Sequence, residues 1–368
     1  MRADVHRFSL TDPGDVSGLA AAIAAGRIDP ATIVAVIGKT PGNGLVNDYT
    51  RGYLTLSLAL LIGGATGETP DAVRARVPFV FSGGVEGVLS PHYSVFTVVA
   101  DAAPAQPGVP ALAVGVAFTP ELSPSDIGRQ AQIDATAAAV DAAMAQAKIA
   151  TPADVHFVQV KGPAFTLADI VASAAAGRPA ATDNPGKLMG FGRAASALGV
   201  AGALGEVPAE RAVESAVFKD FSLFSAVASI SAGVEVRTNE VIVVGLSTAW
   251  SGPLTIGHRT MADALDIGAV HALAGSLGFT PGVQIAADEA ARIRAAFVKC
   301  EAARDGLVRG RPHTMLNDGD IDQQRHIRGA VGAIVASVLN DTALFVSGGA
   351  EHQGPDGGGT IAVIAERH

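Results

Sequence analysis

The chain has 368 residues, 49% of them hydrophobic and 17% charged, which is ample material for a large folded core. Its formal charge of −9, with no basic stripe, argues against nucleic acid as a partner, because affinity for a phosphate backbone comes mainly from clustered Lys and Arg. No apolar run reaches the roughly 18 residues that span a bilayer, and Met1-Arg2-Ala3-Asp4-Val5-His6-Arg7 carries no apolar signal core, so no membrane partner and a cytoplasmic location are expected.

In chain order, Ile33-Val34-Ala35-Val36-Ile37-Gly38-Lys39 reads as a buried strand ending in lysine. Arg51 to Leu61 reads as a helix opened by arginine, in the run Thr50-Arg51-Gly52-Tyr53-Leu54. Phe79-Val80-Phe81-Ser82-Gly83-Gly84-Val85-Glu86 is a strand that runs out at serine and tight backbone, then closes on glutamate. The Pro-rich stretch from Asp101 to Gly108 predicts a cut near residue 105. Ser125 to Lys148 has helical spacing and good helix formers, Thr151-Pro152 stops it, and His156-Phe157-Val158-Gln159-Val160-Lys161 is a second strand ending in lysine. Gly192-Arg193-Ala194-Ala195-Ser196 opens a second small-residue helix, and Ala228-Ser229-Ile230-Ser231-Ala232-Gly233-Val234-Glu235 is a second serine corner. Val241 to Val244 reads as a buried strand, and Trp250-Ser251-Gly252-Pro253-Leu254 predicts a cut near 252. The set then returns a third time: Ala295-Ala296-Phe297-Val298-Lys299, Ile327-Arg328-Gly329-Ala330-Val331 leading a helix to Leu339, and Leu344-Phe345-Val346-Ser347-Gly348-Gly349-Ala350-Glu351. Cys300, the single cysteine, reads as a small buried strand residue beside Lys299.

The order Lys, Arg, Ser thus recurs three times, and the period is far too long for a stacked solenoid. Three domain-sized units are expected: 1–104, 105–252 and 253–368. Each reads as a sheet covered by helices, an α/β (α+β layered) class, and a closed ring of three would bring nine residues round one axis. A serine hydroxyl needs a base, and lysine serves if burial and nearby positive charge pull its pKa well below about 10.4. A buried arginine of the same unit is expected to supply that charge. Serine–lysine dyads are a recognised form of nucleophilic catalysis, and the tight Ser-Gly-Gly or Ser-Ala-Gly backbone offers N–H groups to a developing oxyanion. These parts together point to acyl chemistry on an amide-like carbonyl, in one pocket suited to a ligand with three equivalent edges.

The motifs Gly38-Lys39-Thr40-Pro41-Gly42-Asn43-Gly44, Asn47-Asp48-Tyr49-Thr50-Arg51-Gly52 and Met189-Gly190-Phe191-Gly192-Arg193-Ala194-Ala195-Ser196-Ala197-Leu198-Gly199, with the three serine corners, resemble the cyanuric acid amidohydrolases and the related barbiturases across essentially the whole length. The resemblance implies three similar units round a pseudo-threefold axis with the active site at the centre. It implies Ser231 as nucleophile with Lys161 as base, Ser82 with Lys39 and Ser347 with Lys299 binding the other two carbonyl edges, and Arg51, Arg193 and Arg328 on the ring oxygens. Backbone N–H groups of Gly83, Ala232 and Gly348 complete that frame. The implied reaction is hydrolytic ring opening of cyanuric acid to carboxybiuret, which loses carbon dioxide to give biuret. Barbituric acid is the alternative substrate, and a non-catalytic protein that binds a small cyclic imide is the alternative class. The central corner departs from its sisters in one residue, Ala232 in place of Gly83 and Gly348.

The loop from Gly348 to Gly359 exposes backbone carbonyls of the kind that wrap a hard cation. The resemblance implies a structural Mg²⁺ or Ca²⁺ held by Glu301 and the carbonyls of Ala350, Gln353, Gly354, Pro355 and Gly358, and a homotetramer. No organic cofactor is expected. Gly38-Lys39-Thr40 lacks the first glycine of a phosphate loop, and Gly190-x-Gly192 is preceded by Asp183-Asn184-Pro185, where a dinucleotide fold needs a strand.

Overall fold

Apolar strands alternate with small-residue helices in three successive stretches, and a computed structural model describes residues 1–100, 108–280 and 282–367 of them. The first stretch holds β1 (Arg2–Ser9), α1 (Ser17–Ala24), β2 (Ile33–Thr40), α2 (Thr50–Thr66), α3 (Pro70–Arg76), β3 (Phe79–Gly83) and β4 (His92–Val99). The second holds β5 (Ala111–Phe118), α4 (Gln130–Ala147), β6 (Val155–Pro163), α5 (Leu167–Ala175), α6 (Pro185–Ala203), β7 (Ala228–Gly233) and β8 (Glu240–Ser247). The third holds β9 (Leu254–Met261), α7 (Ile267–Ser276), α8 (Ala287–Ala290), β10 (Ile293–Cys300), a small ribbon of β11 (Leu307–Val308) and β12 (Arg311–Pro312), α9 (Gln323–Leu339), β13 (Phe345–Gly348) and β14 (Gly359–Glu366).

Each stretch builds one four-stranded sheet, and the three share a topology: β1-β4-β2-β3, β5-β8-β6-β7 and β9-β14-β10-β13. The last pair of each, β2 with β3, β6 with β7 and β10 with β13, runs parallel, and the other pairings are antiparallel. A parallel pair requires a crossover, and α2 with α3, α5 with α6, and α9 lie in those crossovers. Even a register irregularity is repeated, between Ile33 and Ala35, Val155 and Phe157, and Ile293 and Ala295. The architecture is the layered α/β class expected, with three like units. The expected cut near residue 105 lies outside the described residues.

The helices extend beyond the sequence expectation where capping chemistry allows. Helix α2 runs on to Thr66 and stops at Gly67 in the left-handed region. Helix α9 starts six residues before Gly329, on an Asp322 side chain that accepts from Gln324 N. Helix α6 starts at Pro185, its Asn184 cap accepting from Lys187 N, so no strand precedes Gly190. It is buried on nearly every face and packs closely on α4, where a Cβ on Gly199 would stand 2.5 Å from Ile133 O.

Between the sheets lies one shared core. Ala3, Ile37 and Phe96 of the first sheet, Val114, Phe157 and Ile230 of the second, and Phe297, Phe345 and Ile364 of the third belong to a single buried cluster. Phe157 and Phe297 stack at 4.4 Å, with Phe96 at 6.4 Å from Phe297. Helices cover the outer faces, with Leu54, Leu58 and Ile62 of α2 on the first sheet and Val331 and Val335 of α9 on the third. The parallel pairs therefore converge at one end of a common interior.

Candidate active site

Register places the functional pairs. In the parallel ladders Lys39 stands opposite Ser82, Lys161 opposite Ser231 and Lys299 opposite Ser347. All three lysines are fully buried, at 0% exposure, and the serines sit at the last turns of their strands, where the chain leaves the sheet. Arg51, Arg193 and Arg328 are buried on α2, α6 and α9. One open-mouthed cavity, small and polar, is lined by Arg51, Ser82, Gly83, Arg193, Ser231, Ala232, Arg328, Ser347 and Gly348. The sequence reading missed four further wall residues, Gly44, Met189, Ile230 and Gln324. Gly44 and Met189 lie inside motifs already singled out; Ile230 and Gln324 carry no local signal.

Each lysine meets its own corner or a neighbouring unit, and Lys161 and Lys299 make hydrogen bonds across units. Lys39 Nζ donates to Ser82 Oγ and to Gly83 O, both at 3.1 Å, and lies 5.8 Å from the Phe345 ring centroid. Lys299 Nζ donates to Ser347 Oγ at 3.0 Å, Gly348 O at 3.1 Å and Ile230 O at 2.7 Å. Lys161 Nζ donates to Phe81 O at 2.6 Å and forms an ion pair with Glu235 Oε1 at 2.6 Å. Ser231 Oγ is buried without a hydrogen-bond partner, whereas Ser82 Oγ donates to Ser347 Oγ at 3.3 Å.

The arginines also cross between units, which corrects one expectation. The positive charge beside each lysine comes from another unit: Arg328 depresses Lys39, Arg51 depresses Lys161 and Arg193 depresses Lys299, each second to burial or, for Lys161, also opposed by Glu235. The reason lies in the glutamate that ends each corner. Arg328 clamps Glu86 with two bonds of 2.8 and 2.6 Å, and Arg193 clamps Glu351 with bonds of 2.9 and 2.6 Å. Arg51 lies 3.8 Å from Glu235. The helix of one unit thus reaches the corner of the next, cyclically. Glu86, Glu235 and Glu351 hold these corners to the cationic groups, a part the sequence gives no role, although their recurrence four residues after each serine was a signal.

Burial of the ammonium and the nearby guanidinium bring Lys299 down to about 7 and Lys39 well below the usual lysine range. Lys161 is lowered too, burial and Arg51 outweighing the opposing Glu235 carboxylate. The pocket wall therefore presents hydroxyls and three guanidinium groups to its contents, with the three depressed lysines buried behind it, a set suited to polarise carbonyl oxygens and to move a proton from a serine.

Among the described residues no group of three or more His, Cys, Asp or Glu is gathered that could hold a metal ion. The expected oxygen set is of another kind, and its parts are adjacent: Glu301 N donates to Gly358 O at 3.4 Å, and the carbonyls of Ala350 and Pro355 each accept one backbone N–H, leaving a second lone pair. Gln353 sits within the same loop, its Oε1 accepting from Ile230 N at 2.6 Å. Burial and then the Glu351 carboxylate push the Glu301 carboxyl up to about 7, while Arg304 stands 2.7 Å from its Oε1. Arg304 holds both Glu301 oxygens, at 2.7 and 2.8 Å, so a hard cation would have to take that carboxylate from the arginine, while the carbonyl lone pairs nearby are of the kind such an ion uses. Cys300 is buried beside Ser347 O on β10, as expected.

A family model described as amidohydrolase ring-opening protein matches residues 4–366. A cyanuric acid amidohydrolase of Azorhizobium caulinodans is 47% identical over 365 residues, covering 99% of this chain and 98% of that protein. A cyclic amide hydrolase of the same organism is 45% identical over 364 residues, covering 99% of each. A solved structure of a cyanuric acid hydrolase, described as an evolutionary innovation by structural concatenation, matches with a TM-score of 0.94 and 48% identity over 99% of both chains.

Proposed function

The chain belongs to the ring-opening amidohydrolase family, a hydrolase of cyclic amides, and from that premise we propose that it opens cyanuric acid by a serine–lysine mechanism. The observation that carries the reading is a cavity walled by three like serine corners, each with a lysine buried behind it, in which, among the described residues, only the Ser231 hydroxyl lacks a partner. A flat trione has three equivalent carbonyl edges, and the pocket offers each edge one serine and one arginine.

Ser231 Oγ attacks a ring carbonyl carbon while its proton passes to the free amine of Lys161. The carbonyl π electrons move to oxygen, and the backbone N–H groups of the tight corner stabilise the charge. When the C=O bond re-forms, the C–N bond breaks and the departing ring nitrogen takes the proton from Lys161. Water then attacks the acyl-serine ester, with Lys161 again accepting the proton and returning it to Ser231. The product is carboxybiuret, which releases carbon dioxide to leave biuret. Ser82 with Lys39 and Ser347 with Lys299 hold the other two carbonyls, and Arg51, Arg193 and Arg328 hold the ring oxygens.

Ser231→Ala abolishes turnover of cyanuric acid, by about 10⁴-fold or more, while Ser82→Ala keeps measurable turnover with a raised KM. Following ring absorbance with cyanuric and barbituric acids separately checks both points. Full activity in Ser231→Ala sinks the assignment, and turnover of barbituric acid alone sinks the substrate.

The same reading divides the chain into units 1–104, 105–252 and 253–368 and places it in the cytoplasm as a homotetramer, whose mass sedimentation would give. Among the described residues no helix is long and apolar enough to cross a membrane. Glu301 and the carbonyls of Ala350, Gln353, Gly354, Pro355 and Gly358 would hold a structural Mg²⁺ or Ca²⁺ that ties the third corner to β10.

A further inference from the structure

Lysine and arginine share out their partners differently in the middle corner. In the first and third corners the lysine donates to the carbonyl after the serine, Gly83 O or Gly348 O at 3.1 Å, and an arginine from another unit clamps the corner glutamate. In the middle corner the arginine takes the carbonyl, Arg51 Nη1 donating to Ala232 O at 2.7 Å, and the glutamate goes to the lysine, Glu235 Oε1 lying 2.6 Å from Lys161 Nζ. Arg51 also donates to Leu45 O at 2.8 Å and Asp48 O at 3.3 Å, and stays 3.8 Å from Glu235. Lys161 makes no hydrogen bond to Ser231, and the hydroxyl is left free at the cavity wall.

We propose that Glu235 is the positioning residue of the reaction, the third member of a Ser231–Lys161–Glu235 relay. This rests on the reading above, in which Ser231 and Lys161 do the chemistry. The carboxylate, buried with neither oxygen hydrogen-bonded elsewhere among the described residues, lies against Lys161 Nζ and stabilises the ammonium that forms as the serine proton arrives. Such a partner is worth most where water is excluded and charge appears during the step. Among the described residues Lys39 and Lys299 have no carboxylate at ion-pair distance, since Glu86 and Glu351 are each held by two arginine bonds. The partner exchange therefore gives a physical reason why one of three like corners carries the base.

The charged groups facing the pair are Arg51 on α2, Arg74 on α3, which donates to Glu235 O at 2.8 Å, and Glu240 on β8. Burial holds the Glu240 carboxyl up at about 8, so at neutral pH Glu235 supplies the negative charge at Lys161.

The test compares Glu235→Gln, Glu235→Asp and the equivalent-corner variant Glu86→Gln, each checked for a cooperative melt. Removing the carboxylate weakens the base. Glu235→Gln is expected to lower kcat by about a hundredfold or more with KM within about threefold, and to move the acid limb of kcat/KM about one pH unit lower. Glu235→Asp is expected to restore the limb and part of kcat. Glu86→Gln is expected to raise KM and leave the limb in place, because its loss frees Arg328 in the binding frame. An unmoved limb in Glu235→Gln, or the same shift in Glu86→Gln, overturns the proposal. Absence of ring opening in the wild type, or full turnover in Ser231→Ala, would instead overturn the underlying functional reading.

Discussion

Glu240 stands opposite Lys161 across the β6–β8 ladder, where the first unit has His92 opposite Lys39. Its Oε2 accepts from Phe79 N of the first unit at 2.9 Å, and burial raises its carboxyl to about 8. A carboxyl held neutral in the fold and ionised in the unfolded chain costs stability as pH rises. The unfolded state loses its proton near 4.5 and the folded state near 8, so stability falls across that window and levels off above it. Glu240→Gln keeps an acceptor for Phe79 N without an ionisable group. The variant and the wild type should melt together near pH 5, with the variant ahead by a few kcal/mol at pH 8. Thermal melts at the two pH values check this, and a constant gap would show that Glu240 does not titrate in that window. At this scale the serines, lysines and arginines were legible because each type recurs at one place in three units. The role of the glutamates was not legible, because an acid after Gly-x reads equally well as a solvated loop residue.

At the scale of elements, the serine corner and the arginine helix are one device. Helix α9 of the third stretch brings Arg328 to Glu86, just beyond β3 of the first. Arg328 is 3% exposed and Glu86 12%, so removing one partner strands a buried charge. Glu86→Ala should cost about 3–5 kcal/mol, and the double change Glu86→Ala with Arg328→Met less than that single change. Denaturant unfolding of both single variants and the double variant checks this; additive losses would mean that the pair is not coupled. The strands themselves were easy to read from β-branched and aromatic runs, and the three Lys-bearing strands and serine corners all occur as expected. Helix starts were harder. Asp322 and Asn184 cap α9 and α6 through side-chain bonds, and the arginines fall inside their helices rather than at the first turn. A helical arginine with a buried partner looks, in sequence, the same as one at a helix entrance.

In the whole molecule the units interlock twice. The lysines of the second and third units bond carbonyls of the first and second, at Phe81 O and Ile230 O, and each arginine bonds the next corner round the ring, Arg193 and Arg328 at its glutamate and Arg51 at the Ala232 carbonyl. Thr360 and Gln353 add further bonds from the third stretch to Ala228 O and Ile230 N of the second. The proposed cation belongs to this scale, because its loop links β13 and β14 to Glu301 at the end of β10. Exhaustive chelation should lower stability by about 2–3 kcal/mol relative to protein in metal at a hundredfold its Kd, with recovery on adding Mg²⁺ or Ca²⁺. A melt indifferent to chelator would remove the cation from the account.

The amino-acid sequence by itself determined the threefold repeat, the Lys–Arg–Ser order and the Ser–Lys pairing within a unit. Strand register and a short tight corner are local matters, encoded by hydrophobic runs and small residues. Only the tertiary structure decided which unit's arginine meets which unit's glutamate, and that Arg51 and Lys161 exchange partners at Glu235. Those contacts join residues 74 to 242 positions apart in chains of nearly identical local pattern. Pattern that is the same in all three units cannot distinguish them; packing round a closed ring, where each charge must find one partner, does.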